Sequence, residues 1–236
     1  MPIGQVSEQA ANRHLTGISE LDRVLGGGLV PGVVVLLAGE PGVGKSTLLL
    51  DVAAKWAKAG RRTLYVTGEE SAAQVRLRAG RTKSLADELY LASETDLGTV
   101  LGHIEQTEPS LMVLDSVQTV GTSRLTAPPA AFHRLGRSPG PGAGGEETRD
   151  AVIIVGHVTK EGSIAGPRTM EHLVDVVLNF EGDRHSGFRM VRATKKPLRP
   201  SRRGGCFEMT DAGIMEVPDR LAYSPQTTPI LSRAPV

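Results

Sequence analysis

The sequence predicts one α/β domain built on a mostly parallel sheet, and three observations carry that expectation. Short apolar runs rich in β-branched residues recur along the chain, as strands buried on both faces require. Segments with helical spacing lie between them, and the alternation implies right-handed crossovers that cover both sides of the sheet. The length of 236 residues suits one such domain and is thin for two.

Taken in order, residues 1–15 carry no strong pattern and read as a loose lead-in. Thr16-Gly17-Ile18-Ser19-Glu20-Leu21-Asp22 and Leu25-Gly26-Gly27-Gly28 predict a short helix from about Ser19 that ends in a glycine turn. Val33 to Ala38 is an unbroken apolar run and predicts a buried strand. Lys45 to Ala59 has helical spacing, with Leu48, Val52 and Trp56 on one face. Further strands are predicted at Thr63–Val66, Leu111–Leu114, Val152–Val155, Val174–Asn179 and Phe188–Thr194. The domain accordingly runs from residue 16 to 218, and 219–236 read as a truncated C-terminal tail.

Two windows break the pattern. Residues 121–150 hold ten Gly or Pro where a crossover helix is expected between two parallel strands. Residues 196–204 crowd basic residues and prolines where neighbouring strands should pair.

Composition narrows the function classes. Lys and Arg total 27 against 26 Asp and Glu, so no bulk basic field marks the chain for nucleic acid, and any such partner needs a local patch. One such cluster is Arg184, Arg189, Arg192, Lys195, Lys196, Arg199, Arg202 and Arg203, whose last members fall in the second odd window; it is given no functional weight. The single cysteine, Cys206, excludes an internal disulfide framework and a cysteine-based zinc site. No signal peptide and no apolar run of membrane-spanning length is present, so the sequence reads as that of a soluble, cytoplasmic protein with no membrane partner.

The chemistry is concentrated in Gly39, Glu40, Pro41, Gly42, Val43, Gly44, Lys45, Ser46 and Thr47, which fit the phosphate-loop pattern G-x-x-x-x-G-K-[ST] between a buried strand and an amphipathic helix. Glycines let backbone N–H groups turn inward around phosphates, and the helix N-terminus adds partial positive charge. Lys45 is expected to reach the β- and γ-phosphates, and the Ser46 hydroxyl to ligate Mg²⁺. A second acidic group for the metal is expected at a strand tip, and Asp115 supplies it after four apolar residues. A water-orienting base is expected in Thr67-Gly68-Glu69-Glu70-Ser71, at Glu69 with Glu70 as the alternative. His157, after the Val152–Val155 strand, either touches the γ-phosphate and reports its presence or is a structural histidine; the residues leave both open.

These segments, with Leu114-Asp115-Ser116-Val117-Gln118, Gly156-His157-Val158-Thr159-Lys160, Ala165-Gly166-Pro167-Arg168, Glu171-His172, Asp175, Phe180-Glu181-Gly182-Asp183 and Cys206-Phe207-Glu208-Met209-Thr210, resemble the ATPase core of the bacterial RadA (Sms) family. The resemblance runs from about Thr16 to Pro218 outside the two odd windows. It implies a RecA-like P-loop NTPase that binds ATP and Mg²⁺. It also implies a homo-hexameric ring that acts on single-stranded DNA and branched recombination intermediates by branch migration, with Lys160 to Arg168 in a DNA-facing loop.

Departures accompany the resemblance. The family's N-terminal zinc finger and Lon-like C-terminal domain have no counterpart in these residues, so no zinc is expected. Its K-N-R-F-G motif is replaced by Lys195-Lys196-Pro197-Leu198-Arg199. One inserted and one dropped base suffice to turn a coding sequence for K-N-R-F-G-P-R-D-E-V-G-C into Lys195 through Cys206. Likewise, Ala130 to Pro139 can be back-translated so that a shifted frame reads G-V-P-Q-V-R-A-V-T, a better start for a crossover helix. Both windows therefore read as compensated frame slips, through sequencing error or gene decay, and the short tail as a candidate third. Two other functions stay in view: a regulatory ATPase similar to KaiC, and an ATP-binding remnant without turnover.

Overall fold

A computed structural model describes residues 13–120, 137–138, 148–149, 151–158, 170–182, 187–195 and 204–217. The crossover expected within 121–150, the basic window up to 203, and residues Lys160, Arg168 and Arg184 lie outside the described residues, apart from two short pieces noted below.

Helix α1 (Ser19–Leu25) leads into strand β1 (Val34–Gly39), helix α2 (Lys45–Lys58), strand β2 (Thr63–Thr67) and helix α3 (Ala72–Arg81). Strand β3 (Leu89–Ser93), helix α4 (Leu97–Thr107) and strand β4 (Leu111–Asp115) follow. Two-residue strands β5 (Arg137–Ser138) and β6 (Thr148–Arg149) pair antiparallel with each other. Strand β7 (Ala151–His157), helix α5 (Met170–Leu173) and strands β8 (Val176–Glu181), β9 (Phe188–Lys195), β10 (Gly205–Thr210) and β11 (Gly213–Glu216) complete the order.

Nine strands form one sheet in the order β11-β10-β9-β8-β1-β7-β4-β2-β3. From β8 to β3 every pairing is parallel, whereas β9, β10 and β11 extend the sheet antiparallel. The strand predicted at 188–194 is thus the start of an antiparallel ribbon, not another βαβ unit. The reason is local: only six residues separate β8 from β9, too few for a crossover helix.

Strand alternation divides the apolar residues between two cores. Val35 and Leu37 of β1 face one side with Leu48, Leu49, Val52 and Trp56 of α2, while Val34, Leu36 and Ala38 face the other with Val100 and Ile104 of α4. Both faces of β1 are therefore covered, which is why its run is apolar throughout. Trp56 is buried, donates from Nε1 to Ser110 Oγ at 2.9 Å, and carries the Arg61 guanidinium 3.7 Å from its ring centroid. His14 meets the same indole edge-on and pairs with Leu29, so the chain is already tied to the domain there.

Helices α3 and α4 and strands β3, β10 and β11 were not among the sequence expectations. Both helices carry capping signals: Ser71 and Gln74 form a reciprocal capping box on α3, and Asp96 accepts from Thr99 N at 2.8 Å on α4. Their apolar faces are thin, with two buried residues each, and periodicity alone therefore passes over them.

Candidate active site

Parallel pairing brings the C-terminal ends of β1, β7, β4 and β2 to one edge. Gly39 stands in register with His157, and Thr67 with Asp115. Every candidate group named from the sequence and described here leaves the sheet at that edge, where open α/β sheets take their ligands.

The segment from Gly39 to Thr47 turns from β1 into α2. Gly42 and Gly44 have φ of 78° and 109°, a region that side chains with a Cβ rarely occupy, and Gly44 is the N-cap of α2. Lys45 is buried and donates from Nζ to the carbonyls of Gly39 at 2.9 Å and Glu40 at 2.8 Å. Burial lowers its pKa to about 8, against the opposing pull of the Asp115, Glu69 and Glu40 carboxylates. Ser46 is half-buried beside it, and Pro41 and Glu40 are exposed at the loop's tip.

Asp115 is buried, and Tyr65 Oη donates to its Oδ2 at 2.7 Å from the middle of β2. Burial, and then the neighbouring carboxylate charge, push the Tyr65 phenol well above its ordinary pKa, so it remains a donor throughout the working pH range. The next residue, Ser116, is fully buried and donates from Oγ to Glu69 Oε1 at 2.6 Å. His157 Nδ1 stands 3.8 Å from the same oxygen, an ion pair when the imidazole is protonated. Glu69, Ser116, Asp115 and His157 therefore form one polar group opposite Lys45.

Glu70 points elsewhere. It pairs with Arg78 of α3 at 2.5 Å, and both Glu69 N and Glu70 N donate to Thr67 Oγ1. Its other carboxylate oxygen and the Nε and Nη2 atoms of Arg78 are buried without a hydrogen-bond partner. The two glutamates, equivalent in sequence, thus face different neighbours.

The residues present fit a nucleoside triphosphate with a hard divalent ion. The donor set is a hydroxyl, a carboxylate and a loop in which Gly42 and Gly44 take positive φ, and a Cβ built on Gly42 would point into open space. Tyr65, Ser116 and Arg78 were not singled out from sequence: Tyr65 and Ser116 meet their partners between neighbouring strands with no local spacing rule, and Arg78 reaches back from α3 to Glu70 in the turn that precedes the helix.

A family model described as "AAA domain" matches residues 4–163. The chain belongs to the AAA domain family. Over 226 residues it is 52% identical to the DNA repair protein RadA of Mycolicibacterium smegmatis, covering 93% of this chain and 48% of that protein. RadA of Mycobacterium tuberculosis is 49% identical over 239 residues, covering 99% of this chain and 50% of that protein. The resemblance to RadA read from the motifs is therefore borne out, and the chain spans about half the length of the curated relatives it matches. Among solved structures, a KaiC-like protein of Pyrococcus horikoshii matches with TM-score 0.65 and 20% identity, covering 88% of this chain and 99% of that one. The RadB recombinase matches with TM-score 0.63 and 22% identity, covering 86% and 98%. Those likenesses show the fold, a RecA-like α/β sheet. Among the described residues, no helix is long and apolar enough to cross a membrane.

Proposed function

We propose that this chain is the motor core of a DNA repair and recombination ATPase, binding ATP with Mg²⁺ and hydrolysing it to act on DNA. The observation that carries the reading is the convergence of Lys45, Asp115 and the Ser116–Glu69 pair at one sheet edge. Backbone N–H groups of the turn from Gly42 to Thr47 and the Lys45 ammonium hold the phosphates. Ser46 and Asp115 would hold Mg²⁺, which would there neutralise charge on phosphate oxygens. Glu69 orients the attacking water and takes its proton, with Ser116 fixing the carboxylate and His157 beside it. Glu70, held by Arg78, keeps the turn in place and is the lesser candidate for the base.

The relatives' name, DNA repair protein RadA, supports DNA as the substrate. Single-stranded DNA and branched intermediates, a homo-hexameric ring, contacts through Lys160 and Arg168, and a cytoplasmic location belong to the same proposal.

The test is ATP turnover with and without single-stranded DNA. Turnover stimulated by DNA and lost in Lys45→Ala supports the reading. Full turnover in Lys45→Ala would refute the site. Turnover indifferent to DNA favours a regulatory ATPase, and ATP binding without turnover favours a remnant.

A further inference from the structure

The phosphate loop is held from outside its own turn by the antiparallel ribbon β9–β10. Arg189 of β9 donates from Nε to the Val43 carbonyl at 2.8 Å. Its path crosses Gly182, where any Cβ would collide first with the Arg189 Cδ and then with Arg189 Nε and the Phe188 carbonyl oxygen. On the paired strand β10, Met209 Sδ lies 2.9 Å from where a Cβ on Gly44 would stand. The ribbon thus meets the loop at two consecutive residues, and Met209 N is itself tied to Gly187 O at 2.7 Å.

The peptide joining Val43 to Gly44 is a rigid plane whose C=O and N–H point in opposite directions. A donor that fixes the carbonyl from outside therefore sets the aim of the Gly44 N–H. The guanidinium makes a charge-assisted bond, stronger than a neutral donor in the same place. Gly44 has no Cβ to limit its rotation, so an unanchored peptide there is free to turn its carbonyl toward the phosphates.

We propose that Arg189 is a positioning residue for nucleotide binding: held in the gap above Gly182, it anchors the Val43 carbonyl so that the Gly44 N–H is preset for phosphate. The proposal rests on the nucleotide reading of the loop. Arg189 acts through the loop and not on the reacting atoms, so its loss falls on ATP affinity and leaves saturated turnover in place.

The experiment titrates the 236-residue chain with a fluorescent ATP analogue and measures ATP turnover for wild type, Arg189→Ala, Arg189→Lys, Gly182→Ala and the Arg189→Ala/Gly182→Ala double variant, with thermal melts alongside. Arg189→Ala is expected to weaken binding about tenfold, with kcat at saturating ATP within about twofold. Arg189→Lys recovers part of the affinity. Gly182→Ala weakens binding by displacing the arginine, and the double variant is no weaker than Arg189→Ala alone. Unchanged affinity in a cooperatively melting Arg189→Ala, or additive losses in the double variant, overturns the proposal while leaving the nucleotide site intact. Wild type that binds no analogue overturns both.

Discussion

Changing pH across the range in which Lys45 titrates tests the electrostatics of the loop directly. Burial brings the ammonium's pKa down to about 8 from an ordinary 10.5. Only the protonated form attracts phosphate, and MgATP keeps its own charge above pH 7. Protonation of the free site falls from about nine-tenths at pH 7 to about one-tenth at pH 9, so ATP affinity should weaken about tenfold across that interval. Binding at pH 8 should take up about half a proton per ATP, read by calorimetry in buffers of different ionisation enthalpy. Stability of the nucleotide-free protein moves the other way. The unfolded chain holds its lysine proton more tightly than the folded one, so stability rises with pH between about 8 and 10.5. Lys45→Met has no such group, and both pH dependences should disappear from it. An affinity flat from pH 7 to 9.5 in wild type, or the same stability rise in Lys45→Met, would refute the assignment of a buried, phosphate-facing ammonium.

Three further outcomes are expected. Glu69→Gln should keep ATP binding and lose turnover by roughly 10²–10⁴-fold, measured by phosphate release, with a smaller loss in Glu70→Gln; equal losses would put the base on neither glutamate alone. Tyr65→Phe leaves the buried Asp115 carboxylate short of the donor now at 2.7 Å, and should cost about 2 kcal/mol, seen as a fall of roughly 4–8 °C in Tm. An unchanged melt would show that water replaces the phenol. DNA affinity, measured by fluorescence anisotropy from 50 to 200 mM salt, should fall linearly on a log–log plot; a flat line would argue against contact with the phosphate backbone.

Much of the fold was legible because the strands at its centre are apolar on both faces. The runs beginning at Val33, Thr63, Leu111 and Val152 need no periodicity to be recognised, and β1, β2, β4 and β7 stand where those runs lie. The edge was harder to read. Strand β3 exposes Tyr90 and Leu91, and β11 exposes Met215, so neither carries a buried strand's signature. Helices α3 and α4 went unread although Ser71–Gln74 and Asp96–Thr99 carry capping signals, because each buries just two side chains and shows little periodicity. The phosphate-loop pattern was visible in full, since it consists of glycines, a lysine and a serine at fixed neighbouring positions.

The sequence by itself determined what is local: which segments extend, where helices start, and where a backbone can wrap an anion. These follow from side-chain size, φ freedom and capping within a few residues. Only the tertiary structure decided which side chains meet at the sheet edge. Ser116 reaches Glu69 across 47 residues, Tyr65 reaches Asp115 across 50, and Arg189 reaches Val43 across 146. Such partners depend on strand order and register, with Gly39 beside His157 and Thr67 beside Asp115. Two adjacent glutamates with the same chemistry therefore part company: one is drawn to Ser116 and the other to Arg78, because a turn at the end of β2 aims consecutive side chains at different neighbours.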